Sequence, residues 1–567
     1  MRLMVPLLTG AFLTLYVLPL GVRPLVIPDE ARYAEISREM LAMKDWVVPH
    51  LDGVRYFEKP VLGYWFHAAA VRAFGANAFA VRLPSAVAAG LTASLLFLWT
   101  RRFSNDEAAP LFAAAVFLVS FEVFVVGTFC VLDSLLSLFI TATIVAFYFA
   151  YAEKSARSRM TFLALAGVAC GLAFLTKGFL AVVIPVLAIV PFLLWQRRFK
   201  AFLRLAWVAV LPAVLVVLPW AVMIHRREPD FWRCFFWVEH VDRFVSPRRG
   251  QHPEPFWFYA PILLAGAMPW TVLAGPVVAG LRDANRRDPM VRLALCWLIL
   301  PFLFFSVCSG KLGTYILPCF PPLALLIAMG VLTCLRRGDT KGFVWGAAVL
   351  LVATGLLLLV LLGGLIAVPA MSEAVALWKW GVAAAGLCLW GVLCWTGLRT
   401  GDMRRKLLLY CVGPVPFMFS WPFIVPAALE ARKAPAAFLR SHATRISPDS
   451  ILVAENGLTA AVCWCYGRDD VYILGSAGEY AYGLTYADSR HRGLDIEELR
   501  DMLAEPGGTG HVVLITKAKH YAEYKDQLPN PSYEDTDDGL VWIEYKHAHF
   551  AFDGLLSGEH ISYSSAL

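Results

Sequence analysis

Charged side chains are scarce in this sequence of 567 residues, because Asp, Glu, Lys and Arg together make up only 16% of it. A soluble domain carries about 25%. Hydrophobic residues reach 59%, and the mean hydropathy is +0.62. This balance excludes a water-soluble enzyme, a disordered chain and a nucleic-acid-binding protein, and it predicts that most of the chain lies in a bilayer.

Several motifs are also missing. The 12 cysteines show no C-x-x-C spacing for a metal or redox centre, and the close pair Cys463 and Cys465 is interpreted as buried thiols. No nucleotide-binding glycine fingerprint, short-period repeat or low-complexity tract occurs. The first apolar run lacks a small-residue cleavage signature, so we expect a retained anchor rather than a signal peptide.

Apolar runs long enough to cross about 30 Å of hydrocarbon are the main feature present. We predict about thirteen spans, near residues 4–21, 79–100, 110–126, 131–151, 161–175, 178–195, 203–223, 258–280, 290–307, 316–335, 343–366, 376–397 and 406–426. Alternate connections are short and basic, as at Arg101-Arg102 and Arg197-Arg198, which places them in the cytoplasm. An odd number of spans then puts the N-terminus inside and the C-terminal tail outside.

The predicted organisation has two parts, a membrane domain over 1–428 and a soluble domain over 429–567. Two long outer loops, 22–78 and 224–257, are rich in charged and aromatic residues, and such loops often carry function. Within the first, Ala31–Met43 is predicted as an amphipathic helix lying on the membrane surface.

The tail differs in charge and in pattern from the rest. From residue 427 onward it holds 12 Lys and Arg against 21 Asp and Glu, so it belongs to different surroundings. We predict strands at Ile451–Ala454, Val471–Leu474, His511–Thr516 and Leu540–Tyr545, with a helix at Asp495–Leu503. This alternation favours a small α/β domain.

Asp29 and Glu30 directly follow the first span. An Asp before a helix often serves only as an N-cap, which satisfies free backbone N–H groups. An acidic pair at a membrane boundary can also act as a base or hold a cation in a water-filled cavity. The residues alone leave both interpretations open.

Tyr56-Phe57-Glu58-Lys59-Pro60 closes the same loop. The Lys59 ammonium suits a phosphate oxygen, and Glu58 offers hard oxygen ligands to a metal. The simpler alternative is a lysine that snorkels beside the next span.

Asp133 and Lys177 lie at the ends of two predicted spans, on the outer face. A carboxylate inside an apolar run is costly, so function is the default interpretation of Asp133. Asp29, Lys59, Asp133 and Lys177 all map to one membrane face, and that agreement predicts a shared site.

The second outer loop contains Glu239-His240-Val241-Asp242-Arg243. Glu239 and His240 could join Glu58 at a metal, and Arg243 could bind phosphate with two hydrogen bonds. After a later span, Lys311 and Tyr315 are also placed on the outer side.

Five motifs occur in the order D-E-A-R-Y-A-E, Y-F-E-K-P, L-T-K-G, F-F-W-V-E-H-V-D-R-F and G-K-L-G-T-Y-I-L-P. Over roughly residues 20–325 the chain resembles the bacterial 4-amino-4-deoxy-L-arabinose:lipid A transferases. These are relatives of the protein O-mannosyltransferases in the GT-C class of membrane glycosyltransferases. The resemblance implies a bundle of about thirteen transmembrane helices with a small periplasmic α/β domain.

The resemblance also implies a multi-pass protein of the bacterial inner membrane with its site on the periplasmic side. The expected reaction moves 4-amino-4-deoxy-L-arabinose from undecaprenyl phosphate to a lipid A phosphate and gives resistance to cationic antimicrobial peptides. Zinc is a candidate cofactor, and neither a nucleotide nor a nucleic acid is expected to take part.

The motifs assign roles to residues of this chain. The resemblance implies a catalytic site of Asp29, Glu30 and Asp133, with zinc at Glu58 and at His240 rather than His252. It also implies that substrate contacts come from Lys59, Lys177, Arg243, Tyr315, Arg32, Tyr33 and Tyr56.

Two alternatives stay open at this point. One is a transferase of the same class with another sugar or acceptor, similar to the protein O-mannosyltransferases. The other is a lipid transporter, which would carry its ionisable residues along the spans, often in two matching halves.

Overall fold

The structure is a computed structural model that describes residues 4–242, 253–283, 288–367, 377–424, 433–504, 511–537 and 539–546. Helices dominate up to residue 424, and a mixed sheet with flanking helices follows from residue 433. The predicted domain boundary at 428/429 lies outside the described residues.

The first half of the membrane domain is helical in every predicted span, because long apolar runs satisfy their backbone groups internally. Its α-helices are α1 (Met4–Phe12), α2 (Asp29–Ala42), α3 (Leu62–Phe74), α4 (Ala78–Phe103), α5 (Ala109–Leu118), α6 (Phe121–Gly127), α7 (Asp133–Ala152), α8 (Ala156–Lys177), α9 (Leu180–Trp195), α10 (Phe199–Leu203) and α11 (Ala206–Arg227). A short hairpin of β1 (His50–Leu51) and β2 (Val54–Arg55) lies in the first outer loop.

The second half continues the same pattern. Its α-helices are α12 (Tyr259–Gly266), α13 (Ala274–Asp283), α14 (Pro289–Val307), α15 (Phe320–Arg336), α16 (Lys341–Ala367), α17 (Leu377–Arg399), α18 (Met403–Val412) and α19 (Val415–Ser420). A π-helix at Arg233–Asp242 and 3-10 helices at Trp270–Leu273 and Gly313–Cys319 complete the elements that matter for the site.

Within the described residues, eight helices are long and apolar enough to cross a membrane, or ten if each of two bent pairs counts as one span. Two further apolar helices are shorter. The figure of about thirteen spans therefore stays a prediction. The two bent pairs, α5 with α6 and α12 with the segment after it, were expected as single straight spans.

The C-terminal domain contains one six-stranded sheet in the order β5-β4-β3-β6-β8-β7. Its strands are β3 (Ile451–Glu455), β4 (Tyr472–Leu474), β5 (Gly493–Leu494), β6 (His511–Lys517), β7 (Tyr533–Asp537) and β8 (Leu540–Lys546), and its helices are α20 (Ala436–Ser441), α21 (Asn456–Tyr466), α22 (Ile496–Ala504) and α23 (Ala518–Tyr524). Four neighbouring strands, β5, β4, β3 and β6, are parallel to one another. Strand β8 runs antiparallel to its two neighbours, β6 and β7. The predicted α/β domain is confirmed, although β5, β7, α20, α21 and α23 were not predicted.

Helix α2 was predicted to be amphipathic and to lie on the membrane surface; the helix is present, and its position relative to the membrane stays a prediction. The helix lies between α3 and α21 of the C-terminal domain, and its polar residues Glu35, Ser37 and Glu39 are fully buried. The face expected to contact water is covered by the C-terminal domain, which the sequence pattern of α2 by itself does not reveal.

Asp52, in the turn between β1 and β2, joins the outer loop to the C-terminal domain. Its carboxylate is fully buried and lies 2.9 Å from Arg492 Nη2. It also accepts hydrogen bonds from the Val471 backbone N–H at 3.0 Å and from the Cys463 thiol at 3.2 Å. Burial raises the pKa of Asp52 to about 8, against the lowering effect of the Arg492 guanidinium.

Because the pKa of Asp52 is raised, we expect the contacts of Asp52 between the outer loop and the C-terminal domain to stabilise the fold less as the pH rises. An unfolded Asp has a pKa of about 3.9, so between about pH 4 and pH 8 the folded state holds a proton that the unfolded state has lost. Stability is therefore greatest at the acid end of this range and falls toward pH 8. Thermal unfolding followed from pH 5 to 9 should show this decline, and Asp52→Asn, which resembles the protonated form, should flatten it. An equally steep decline in the variant would contradict the assignment to Asp52.

Candidate functional site

Asp29 begins helix α2, so Pro28 occupies the N-cap position. The Asp29 side chain is 44% exposed and its Oδ1 lies 3.1 Å from Arg32 Nη2, one turn along the helix. The recorded partner of this carboxylate is thus a guanidinium group rather than a backbone N–H of the first turn. This geometry does not support the N-cap interpretation of Asp29, and its functional role stays a prediction.

Glu30 is fully buried, unlike its neighbour. Its two oxygens accept from Arg82 at 2.7 Å, from Arg23 at 2.6 and 3.1 Å, and from the Cys130 backbone N–H at 2.9 Å. Burial alone would raise the pKa of Glu30, but Arg82 and Arg23 lower it to about 2. These contacts attach the start of α2 to the membrane bundle, so they support a structural role for a residue that was predicted as catalytic.

Lys59 brings the two outer loops together. Its ammonium nitrogen lies 3.9 Å from Glu58 Oε2 and 3.8 Å from Glu239 Oε2, and it donates to the Glu58 carbonyl oxygen at 3.0 Å. Glu58 and Lys59 follow strand β2, whereas Glu239 belongs to the π-helix of the second loop. The predicted convergence of the two loops is therefore present at this lysine.

Asp133 and Lys177 form a second centre. Asp133 is the first residue of α7 and Lys177 is the last residue of α8, and Lys177 Nζ donates to Asp133 Oδ1 at 2.7 Å. Both residues are buried. The ammonium also lies 4.6 Å from the centre of the Tyr315 ring, within the range of a cation–π contact. Three residues that were predicted from three separate segments of the sequence thus lie together.

The C-terminal domain also reaches this region. Glu479 Oε2 lies 2.6 Å from Arg32 Nε, so Arg32 is held between Asp29 and a residue about 450 positions away in the sequence. Tyr33 and Tyr56, two further predicted contacts, are buried beside Arg32. Glu479 was missed by the sequence analysis, because an isolated Glu in the tail carries no motif.

A search of curated proteins matches the chain to relatives over nearly its whole length. It is 39% identical over 514 residues to the undecaprenyl phosphate-α-4-amino-4-deoxy-L-arabinose arabinosyl transferase of Aeromonas salmonicida, covering 89% of this chain and 92% of that protein. It is 35% identical to the protein of the same name from Yersinia enterocolitica, covering 95% of this chain and 98% of that protein. The chain belongs to this arabinosyl transferase family. It is therefore a glycosyltransferase and a multi-pass membrane protein, and the transporter alternative is set aside.

Two family models match separate parts of the transferase. Residues 1–235 match the model for dolichyl-phosphate-mannose-protein mannosyltransferase, and residues 430–544 match the model for the C-terminal domain of the arabinosyl transferase ArnT. The crystal structure of ArnT from Cupriavidus metallidurans bound to undecaprenyl phosphate superposes with a TM-score of 0.81 and 22% identity, covering 95% of this chain and 97% of that one. At this identity the match shows the fold, and it confirms the predicted fold class.

Part of the predicted site of the transferase lies outside the described residues. This applies to Arg243, to His252 and to the side chain of His240. Their roles therefore stay predictions from the motifs.

The zinc site predicted for the transferase rests on Glu58 and His240. In the part of the chain that the structure describes, no three His, Cys, Asp or Glu side chains converge on one point. Glu58 and Glu239 flank the Lys59 ammonium, an arrangement typical of an ion-pair cluster. The described residues thus do not by themselves form a zinc site, and no catalytic step is assigned to a metal here.

Proposed function

We propose that this transferase moves 4-amino-4-deoxy-L-arabinose from undecaprenyl phosphate to a phosphate of lipid A. The observation that carries the proposal is near-full-length identity of 35 to 39% to several transferases whose name specifies this donor. The acceptor is inferred from the motif resemblance, and the consequence is resistance to cationic antimicrobial peptides.

The described site suits such a transfer. An oxygen of the acceptor phosphate forms a bond to C1 of the sugar, and the bond from C1 to the donor phosphate oxygen breaks with its electron pair on undecaprenyl phosphate. The acceptor phosphate is already ionised, so it requires positioning more than deprotonation. A single displacement of this kind inverts the configuration at C1.

Cations stabilise the negative charge that develops on the leaving phosphate. Lys59, at the meeting point of the two outer loops, is assigned this role, with Lys177 and Arg243 as further phosphate contacts. The Lys177 ammonium forms an ion pair with Asp133 at 2.7 Å. The stabilisation that Lys177 gives to the leaving phosphate therefore depends on that carboxylate.

Asp29 is assigned to the sugar. Its carboxylate is the more exposed of the adjacent acidic pair, and a negative charge close to C1 stabilises the positive character of the ring during transfer. Arg32 and Glu479 then act as positioning residues for Asp29.

The transfer is tested by mass spectrometry of lipid A from cells with and without the gene. An added mass of one aminopentose that appears only with the gene supports both donor and acceptor. A transferred hexose, or a glycosylated protein with unchanged lipid A, would instead favour the protein O-mannosyltransferase-like alternative. That alternative draws its support from the family model matched over residues 1–235.

The proposed location is the bacterial inner membrane, with the site and the C-terminal domain in the periplasm. A reporter that is active only in the periplasm should be active when fused after Leu567 and silent when fused at Arg198, because the Arg198 loop belongs to the basic, cytoplasmic set. Activity and blot signal are measured for both fusions. The reverse pattern would refute the orientation.

The prediction that Glu58 is a zinc ligand is tested by measuring the zinc content of the protein. If Glu58 is a ligand, elemental analysis of the purified transferase should find about one zinc per chain, and Glu58→Gln should lower this several-fold. Glu107→Gln, an exposed change at a cytoplasmic loop, is the control. Equal zinc content in wild type and Glu58→Gln would remove Glu58 from the ligand set.

A further inference from the structure

Two membrane spans, α5 with α6 and α12 with the segment after it, are broken, and the two breaks contact each other. The axis bends by 63° between α5 and α6, and by 92° after α12. The Phe121 backbone N–H, at the first break, donates to the Met268 carbonyl oxygen, at the second, at 3.1 Å. Irregular backbone at membrane depth is tolerated only where protein buries it or where it lines a cavity, and broken helices mark substrate sites in other membrane proteins.

Glu122 lies at this junction, in the first turn of α6. The close approach of the two spans depends on Gly266, because a Cβ on that glycine would lie 2.7 Å from Glu122 Cβ. Glu122 is half-buried. Within the described part of the chain, the Glu122 carboxylate forms no hydrogen bond or ion pair. An ionisable side chain inside a membrane domain usually faces the bundle interior or a cavity and serves a function.

The junction is next to the candidate site. Helix α6 contacts the 3-10 segment Gly313–Cys319, which carries Tyr315, and α7, which begins with Asp133, contacts the same segment. Asp133 is paired with Lys177, whereas Glu122 has no ion-pair partner within the described part of the chain.

We propose that Glu122 is a specificity-determining residue that binds the ammonium group of the donor sugar. This inference rests on the proposed function, which supplies a donor with a 4-amino group. A primary ammonium group is the cation that a half-buried carboxylate beside the site can pair with when the donor enters. The same chemistry occurs in the headgroup of phosphatidylethanolamine, so the experiment separates these two sources.

The experiment compares two donors in wild-type protein and in Glu122→Gln, reconstituted in nanodiscs. The donors are undecaprenyl-phosphate-linked 4-amino-4-deoxy-L-arabinose and its 4-hydroxyl counterpart. A charge-assisted hydrogen bond contributes enough that Glu122→Gln should lower kcat/KM for the amino donor by about 10- to 100-fold, mainly through KM. The value for the hydroxyl donor should change by less than about threefold. Glu107→Gln, exposed at the other end of the same broken span, should change neither.

Each other outcome has a defined meaning. Equal losses with both donors, or no loss with either, overturn the proposal. If wild-type protein transfers neither donor, the proposed function fails, independently of Glu122. If Glu122→Gln does not fold, Glu122→Asp replaces it. This variant keeps the charge on a shorter side chain and should lower the preference for the amino donor only partly; an unchanged preference overturns the proposal.

The lipid source is tested in parallel. Thermal unfolding is measured in nanodiscs of phosphatidylglycerol with and without phosphatidylethanolamine. Stabilisation by phosphatidylethanolamine that disappears in Glu122→Gln, together with an unchanged donor preference, would assign the ammonium group to the bilayer and overturn the assignment to the sugar. Absence of any such stabilisation supports the sugar.

Discussion

Replacing Asp29 by asparagine is expected to lower the rate of sugar transfer by about 10³-fold while the protein still folds in the membrane. The change keeps the shape of the side chain and removes the charge beside C1, and a single preorganised electrostatic contact is worth about 10²- to 10³-fold in kcat. Stability should change little, because the Asp29–Arg32 ion pair is partly exposed and such pairs contribute about 0–1 kcal/mol. Initial rates with purified lipid-linked donor, normalised to the amount of protein in the membrane, measure the effect.

Asp470→Asn is the matched control for Asp29→Asn. Asp470 is 54% exposed and paired with Arg468 in the C-terminal domain, so the same chemical change there should leave transfer largely intact.

Lys59→Ala should abolish transfer as well, and the double change with Asp29→Asn should cost little more than either change alone if the two residues act as a unit. Near-normal turnover in Asp29→Asn would move the catalytic assignment to Asp133.

A large loss of stability is expected when one member of the Asp133–Lys177 pair is removed. Both residues are buried and their atoms lie 2.7 Å apart, so Asp133→Asn or Lys177→Gln leaves one charge buried without its partner. Breaking a buried pair in this way costs about 3–5 kcal/mol. Transfer should be lost in both single variants, and thermal unfolding in nanodiscs should show a clear decrease in each.

The double variant Asp133→Asn with Lys177→Gln separates stability from catalysis. It removes both charges and leaves two amides that can hydrogen-bond to each other, so no buried charge is left without a partner. We therefore expect its thermal stability to return near that of wild type while transfer stays absent, because the site has lost a carboxylate and a phosphate contact. Recovery of transfer together with stability would show that the pair is only structural.

Residues that the sequence placed on one membrane face lie close together where they stand at the ends of spans, and their roles in the site stay predictions. Asp133, Lys177 and Tyr315 were predicted on one membrane face and lie together, because span ends at one face of a bundle are near each other by construction. Asp29 and Glu30 show the limit of this reasoning. They are adjacent, but successive residues of a helix differ by about 100° in direction, so the Asp29 side chain stays partly exposed while the Glu30 side chain enters the bundle.

Composition and periodicity alone determined that this is a membrane protein with a separate α/β domain, since apolar length and charge content decide which part can lie in lipid. The tertiary structure decided which distant residues meet. It brought Lys59 to Glu239 and Glu479 to Arg32, covered α2 with the C-terminal domain, and joined the two broken spans at Glu122. These contacts depend on the packing of elements that are far apart in the chain. No local sequence pattern predicts them, because each residue involved is compatible with its own helix or loop whether or not its partner is present.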